Sequence, residues 1–267
     1  MKEIEFKDKI VVITGAASGM GLMASQEFAR LGAKVVMCDI NGETLALRVS
    51  EIRAHGEDDV GADLRAAQLI PIIGDVRDFN YAMCVAEETA KLGGCDILVC
   101  CAGGNEARMC NSHVPFYEQP KEVIDWGLDV NLKGSIYFAR ALMPQMVAKK
   151  SGVIVCLGSV TGVEGDGVGS MYGTAKSGLF NFVKGLAIAG GPHNVRALCV
   201  TPGPILTRAA MSGMPTILGR AGETHELVDV ILFMCSENAS FITGTNHIVD
   251  GGRLLMYQPY HALKEKN

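Results

Sequence analysis

Tyr172 and Lys176 stand four residues apart in the stretch Ser170-Met171-Tyr172-Gly173-Thr174-Ala175-Lys176. On a helix, that spacing stacks both side chains on one face, a turn apart. A free phenol holds its proton far above neutral pH, and a nearby ammonium favours the phenolate. The pair is therefore a candidate proton donor and acceptor. Alone it carries little weight, because tyrosine and lysine meet at this spacing on many solvated helix faces.

A second candidate lies near the start of the chain. The apolar run Ile10 to Thr14 ends in Gly15-Ala16-Ala17-Ser18-Gly19-Met20-Gly21. An amphipathic run follows to Leu31 and is stopped by Gly32. A second apolar run, Lys34 to Cys38, is closed by Asp39. Strand, glycine turn, helix, strand and acid make one βαβ unit. Glycines let backbone approach a pyrophosphate closely, and the N–H groups at the helix start point at it. Asp39, 18 residues past Gly21, falls where an acid bonds ribose hydroxyls. The spacing is Gly-x3-Gly-x-Gly rather than Gly-x-Gly-x-x-Gly. The reading rests on the position of the turn between a buried strand and a helix.

The elements that position these residues follow in order. Asn41 to Leu69 reads as polar and helical, with a charged loop at His55-Gly56-Glu57-Asp58-Asp59. Leu69 to Ile73 is a third strand, before Gly74-Asp75-Val76, and Asn80 to Leu92 a helix. Asp96 to Cys101 is a fourth strand, ending in Ala102-Gly103-Gly104. A long helix from Glu122 to Lys149 holds Asn131 and is expected to bend at Pro144. Gly152 to Gly158 is a fifth strand ending at Ser159. The helix with Tyr172 and Lys176 closes near Gly190-Gly191-Pro192. Val195 to Val200 is a sixth strand, before Thr201-Pro202-Gly203-Pro204. Thr224 to Cys235 is a helix, and Thr245 to Val249 a last strand before Asp250-Gly251-Gly252. This alternation predicts an α/β fold, a doubly wound parallel β-sheet of about seven strands with helices on both faces. No linker or repeat interrupts it, so residues 1–267 read as a single domain, with 253–267 as a C-terminal tail. Gly15, Asp39, Asp75, Ala102, Ser159 and Pro202 all fall just past strand ends, the edge where open α/β sheets bind ligands.

Composition narrows the function classes. The chain has 267 residues, 48% hydrophobic and 20% charged, which is a globular profile. A net charge of −5 offers no basic field for nucleic acid. The nine cysteines are scattered, without Cys-x-x-Cys or zinc spacing, so no metal is expected. The start, Met1-Lys2-Glu3-Ile4-Glu5-Phe6, is too charged for a signal peptide, and no apolar stretch is long enough to span a membrane. A reducing, cytoplasmic setting is the expectation.

Taken together in order, these motifs make the chain resemble the short-chain dehydrogenase/reductase family over nearly its whole length. Thr14-Gly15-Ala16-Ala17-Ser18-Gly19-Met20-Gly21 is similar to the cofactor-turn motif, and Asp75-Val76 to the pair that contacts adenine. Asn131 matches the active-site asparagine, and Ser159 lies 13 residues before Tyr172, the usual separation. Tyr172-x3-Lys176 matches the catalytic signature. Pro202-Gly203-Pro204-Ile205-Leu206-Thr207 matches the segment around the nicotinamide carboxamide. The resemblance implies a Rossmann-like fold and a division of labour. Tyr172 donates a proton to a ketone oxygen, or removes it from an alcohol. Lys176 assists by its charge and bonds the nicotinamide ribose. Ser159 bonds the substrate oxygen, and Asn131 holds a water that links Lys176 to solvent. The implied cofactor contacts are Gly15, Ser18, Gly19, Met20, Gly21, Asp39, Ile40, Asp75, Val76, Cys101, Ala102, Gly103, Tyr172, Lys176, Pro202, Gly203, Ile205 and Thr207. Read singly, Ser159 is also a plausible helix N-cap, Asn131 a helix residue bonding to backbone, and Asp75 a turn former. The chain departs from the family where Asn-Asn-Ala-Gly is replaced by Cys100-Cys101-Ala102-Gly103. Small side chains preserve the backbone path there, but sulfur bonds more weakly than an amide.

Asp39 would repel a ribose 2′-phosphate, Ser18 stands where phosphate-binding members often carry arginine, and Met37 to Asn41 holds no cation. NAD(H) is therefore expected over NADP(H). The segment over the substrate is short in this chain, with 12 residues between Thr207 and Arg220. Met211, Met214, Ile217 and Leu218 are its expected apolar cover. The other walls, Asn105 to Phe116 and Val160 to Gly169, mix Met109, Val163 and Val168 with Glu106, Glu164 and Asp166. A short lid suits a bulky secondary alcohol or ketone such as a hydroxysteroid. The alternatives are a sugar or alditol substrate, a 3-oxoacyl-carrier reductase, and, in another class, a non-catalytic NAD-sensing protein. By resemblance a homo-oligomer, a dimer or tetramer, is expected; the tail (Tyr257, Pro259, Tyr260, His261) reads either as a frayed terminus or as a segment that packs on a neighbouring subunit.

Overall fold

The structure, a computed structural model, describes residues 2–54 and 64–256. The charged loop expected at 55–59 and the tail residues 257–267 lie outside the described residues. Seven strands form one sheet: β1 (Ile10–Thr14), β2 (Lys34–Asp39), β3 (Leu69–Ile73), β4 (Ile97–Cys100), β5 (Gly152–Leu157), β6 (Val195–Pro202) and β7 (Asn246–Val249). Their spatial order is β3-β2-β1-β4-β5-β6-β7, and every pairing is parallel. Parallel neighbours require long crossovers, and these are supplied by α1 (Gly19–Arg30), α2 (Gly42–Ala54), α3 (Phe79–Lys91), α4 (Glu106–Met109), α5 (Lys121–Leu128), α6 (Gly134–Lys149), α7 (Ser170–Gly190) and α8 (Thr224–Cys235). No described helix is long and apolar enough to cross a membrane.

The apolar runs read as strands because both faces of the sheet are covered. Successive side chains alternate faces, so Val11 and Ile13 of β1 enter one core while Ile10 and Val12 enter the other. The first core packs against α1, α2 and α8 through residues such as Phe28, Leu45, Ile52, Leu227 and Ile231. The second packs against α3, α6 and α7 through Val85, Phe138, Leu142, Met146, Leu179 and Val183. Each such side chain contributes roughly 1.5–3 kcal/mol by leaving water.

The long helix differs from the sequence-based expectation. It runs through Pro144 to Lys149, and its irregularity lies upstream, in a π-turn at Asp129–Lys133 between α5 and α6. The cause is Asn131. Its Nδ2 donates to the Gly127 carbonyl at 2.9 Å, the carbonyl that a regular helix would pair with the Asn131 backbone N–H. A side chain inserted into the ladder in this way displaces the regular i to i−4 bond.

β1 and β4 are adjacent, but the helices that follow them cover opposite faces. The strand order therefore reverses beside β1, and a crevice opens at the carboxyl ends of the two strands. Its floor is narrow. A β-carbon on Gly15 would sit 2.8 Å from the Ala102 nitrogen, and the φ of Gly15 is +69°, so only glycine turns the chain there without strain.

Candidate active site

The crevice is continuous with a cleft of about 680 Å³ along the carboxyl edge of the sheet. Every residue expected from sequence at a cofactor or catalytic position lines it, with one exception. Asn131 is fully buried behind the wall.

At the nucleotide end, Ser18 caps α1 without a side-chain bond. The N–H groups of Gly19, Met20 and Gly21 have no partner within the helix, and they face the cleft as an anion cradle. A β-carbon on Gly21 would meet the Gly15 carbonyl oxygen at 2.2 Å, so the turn packs against the helix with no room for a side chain. Asp39 accepts the Ala17 N–H at 3.0 Å and the Asn41 N–H at 2.9 Å. A carboxylate has about four acceptor sites, so it retains capacity for two hydroxyls. Asp75 closes a tight turn by accepting the Arg77 N–H at 2.9 Å, and its carboxylate also pairs with the Arg77 guanidinium at 2.6 Å. That bond from Arg77 holds the Asp75 carboxyl below its ordinary pKa. These features fit a dinucleotide.

At the other end, α7 carries Tyr172 and Lys176 on one face, with the Lys176 ammonium 5.5 Å from the centre of the Tyr172 ring. Lys176 is only 4% exposed, and its Nζ donates to the Leu157 carbonyl at the end of β5, at 2.7 Å. Ser159, two residues on, is also buried. Its Oγ accepts the Thr161 N–H at 3.2 Å. It is thus the cap of the 3-10 turn Val160–Gly162 as well as a cleft residue, with its own proton unassigned. The Tyr172 hydroxyl makes no hydrogen bond among the described residues and faces the cleft.

Asn131 holds this end together. Its Oδ1 accepts the Gly104 N–H, and its Nδ2 donates to the carbonyls of Gly104 and Gly127, all at 2.9 Å. The side chain therefore clamps the exit of β4 to the π-turn. Gly103 fits between: a β-carbon there would lie 2.5 Å from Asn131 Oδ1 and 3.4 Å from Lys176 Nζ.

The vicinal thiols settle into opposite cores. Cys100 packs with Cys156 and Cys199, which follow it in register across β4, β5 and β6. Cys101 packs on the other side, near Gly21. Burial pushes the Cys101 thiol up to about 12, which leaves it a poor nucleophile. Small volume, not thiol chemistry, is what this position uses.

Two expectations for the cover change. Met211 and Met214 line the cleft, but Ile217 and Leu218 do not. Ile217 packs against Gly252, and Leu218 is largely exposed with its N–H on the Gly251 carbonyl. The lid holds a single 3-10 turn, Ala209–Met211, because residues 216–220 are drawn down onto the turn after β7.

Glu106 is a residue whose role the sequence did not disclose. It is 2% exposed, and its two oxygens accept the N–H groups of Met171 at 2.8 Å and Tyr172 at 3.0 Å. Gly169 at the α7 N-cap supplies no side chain, so a carboxylate from 65 residues away satisfies two orphan donors and meets the positive helix end. The only sequence signal was an acid following the glycines after β4.

Comparisons with known proteins place the chain among oxidoreductases. The family described as Enoyl-(Acyl carrier protein) reductase matches residues 15–253. A 7alpha-hydroxysteroid dehydrogenase of Bacteroides fragilis is 30% identical over 265 residues, covering 95% of this chain and 97% of that one. A 2-dehydro-3-deoxy-L-rhamnonate dehydrogenase (NAD(+)) of a Sphingomonas species is 31% identical over 258 residues, covering 93% and 96%. The crystal structure of a 3-oxoacyl-(acyl-carrier protein) reductase with bound NAD from Brucella melitensis has a TM-score of 0.83 at 30% identity, covering 94% and 92%.

If Glu106 holds the start of α7, Glu106→Gln sets an amide donor against a backbone donor. The expected loss is about 1–3 kcal/mol, read from urea unfolding. An unchanged midpoint would contradict the assignment.

Proposed function

Because the chain belongs to the short-chain dehydrogenase/reductase family, we propose that it interconverts a secondary alcohol and a ketone with NAD(H), using Tyr172 as the proton donor and acceptor. The observation that carries this reading is the free Tyr172 hydroxyl in a cleft beside the buried Lys176 ammonium. NAD(H), when bound, exchanges the hydride. The chain supplies orientation and proton handling. The first turn of α1 and the glycines around it hold the pyrophosphate, and Asp39 accepts from the ribose hydroxyls. Ser159 donates its free proton to the substrate oxygen and stabilises charge developing there. Tyr172 gives that oxygen a proton during reduction and takes it back during oxidation. Lys176 sets positive charge beside the phenol and reaches the nicotinamide ribose. Asn131 acts from behind, by fixing the β4 exit against the π-turn.

Preference for NAD(H) over NADP(H) follows from charge. Asp39 opposes a 2′-phosphate, and Arg77, a cation at that end of the cleft, is neutralised by Asp75. The short 3-10 lid leaves the substrate side open to a bulky alcohol or ketone, of the kind named for the hydroxysteroid relative. The thiols are free, in keeping with a reducing cytoplasmic setting. Exposed apolar side chains such as Ile188 and Phe241 suit contacts between copies of the chain, so a homodimer or homotetramer completes the proposal.

Four measurements test these readings. A panel of steroids, alditols and short ketones, followed by NADH absorbance, is expected to yield at least one substrate. Tyr172→Phe should lower its kcat by about 10²–10⁴-fold, and retained turnover would remove the tyrosine from its role. Asp39→Ala combined with Ile40→Arg should raise NADP use, and the charge argument fails if the unaltered protein already prefers NADP(H). Light scattering should give a dimer or tetramer, and a monomer at micromolar concentration would end that part of the proposal.

A further inference from the structure

The walls of the cleft look acidic when counted along the chain, since Glu106, Glu164 and Asp166 all fall in them. The fold takes Glu106 and Glu164 out of the cleft and ties down Asp166, which still lines it. Glu106 is buried under the α7 N-terminus. Glu164 pairs with Arg253 at 2.9 Å. Asp166 accepts the Val168 and Gly169 N–H groups at 3.0 Å and the Asn105 amide at 3.2 Å. Two cations remain. Arg108, on α4, and Arg208, at the start of the lid, both line the cleft. Neither guanidinium has an ion pair or hydrogen bond among the described residues.

The two guanidinium groups are near enough to interact, and Arg108 sits at the substrate end. The Arg108 guanidinium lies over Gly104, where a β-carbon would meet Nη2 at 3.1 Å. Burial lowers the pKa of Arg108 below its ordinary value, the nearby charge of Arg208 lowers it further, and Tyr172 opposes both. Arg208 has extended backbone, φ −162° and ψ 154°. Thr207, the residue before it, packs on Gly19 at the nucleotide turn, and Arg208 lines the cleft together with Met211 and Met214 of the lid.

We propose that Arg108 and Arg208 form an oxyanion subsite, and that the substrate is a secondary alcohol or ketone bearing a carboxylate or phosphate group. Guanidinium forks match the geometry of both anions. Two like charges facing one cleft without a counter-ion repel, and an anion on the substrate offsets that repulsion while fixing which way the carbonyl is presented. This assignment rests on the oxidoreductase reading for the reaction, but the subsite is defined by charge alone.

The test separates the two. Protein saturated with NADH is titrated with cyclohexanecarboxylate, cyclohexyl phosphate and cyclohexanecarboxamide, followed by NADH fluorescence and by thermal midpoint. One or both anions should bind at least about tenfold more tightly than the amide, and Arg108→Gln or Arg208→Gln should each weaken anion binding about tenfold. The stronger of carboxylate and phosphate identifies the group. Equal binding of anion and amide, or variants that keep the preference, overturns the subsite. A parallel loss of NADH affinity in the variants assigns the arginines to the cofactor and also overturns it. Saturable anion binding without turnover of any ketone leaves the subsite standing and refutes the oxidoreductase reading instead.

Discussion

The molecule is organised by one close approach, that of the β1 and β4 carboxyl ends at Gly15 and Ala102. The strands lie side by side, yet their connections leave toward opposite faces, so nothing in the chain fills the gap above them. Backbone alone forms its floor, with Gly15 at positive φ and less than 3 Å between its missing β-carbon and Ala102. From that crevice the α1 N-terminus points inward on one side, and the β4 exit leads on the other to Gly103, Gly104 and Asn131. Nucleotide and reactive ends thus share one backbone junction, which fixes their separation.

The reactive end is rigid for reasons of polar satisfaction. Asn131 makes three bonds to backbone. Each is worth about 0.5–1.5 kcal/mol net, but a buried backbone group left unpaired costs about 1–3 kcal/mol. The second figure decides the matter: the fully buried amide is needed because the Gly104 and Gly127 groups would otherwise be stranded. The cost is the regular ladder of the α5–α6 helix, which accommodates Asn131 as a π-turn. Lys176 follows the same logic. Its ammonium is held by the Leu157 carbonyl, so its position is set by β5, and Tyr172 is set one turn earlier by Glu106 at the helix start.

Much of the frame was legible in the sequence because it depends on local pattern. Most strands read as apolar runs closed by a small, acidic or turn-forming residue, and Thr224–Cys235 forms a helix with the bounds read from its apolar periodicity. The cleft residues were legible because they follow strand ends in parallel sheets. What the sequence left hidden is tertiary. The π-turn forms where the Asn131 side chain takes the Gly127 carbonyl while also bonding Gly104, 27 residues away, whereas Pro144, the visible helix breaker, sits in a helix that continues past it. Ile217 and Leu218 read as lid residues by position, but the turn after β7 draws that segment away. Glu106 read as an acidic wall residue, although its partners are backbone N–H groups 65 and 66 positions later.

The same distinction governs the charge of the cleft. A sequence supplies a tally of ionisable residues per segment; a fold decides which of them meet. Here the three wall acids are each matched to an intramolecular partner, by a helix end, an arginine and a loop backbone, and each match braces the site. Glu164 with Arg253 ties the wall after β5 to the turn after β7, and Asp166 with Asn105 ties it to the wall after β4. Glu106 and Glu164 thereby leave the surface of the cleft, while Asp166 stays on it with its oxygens engaged by backbone and Asn105. The groups left without an intramolecular ion pair or hydrogen bond among the described residues are Arg108 and Arg208, whose sign is opposite to that of the chain as a whole. Net charge of −5 and a cationic substrate end are compatible because field in a cleft follows from the unpaired charges nearest to it.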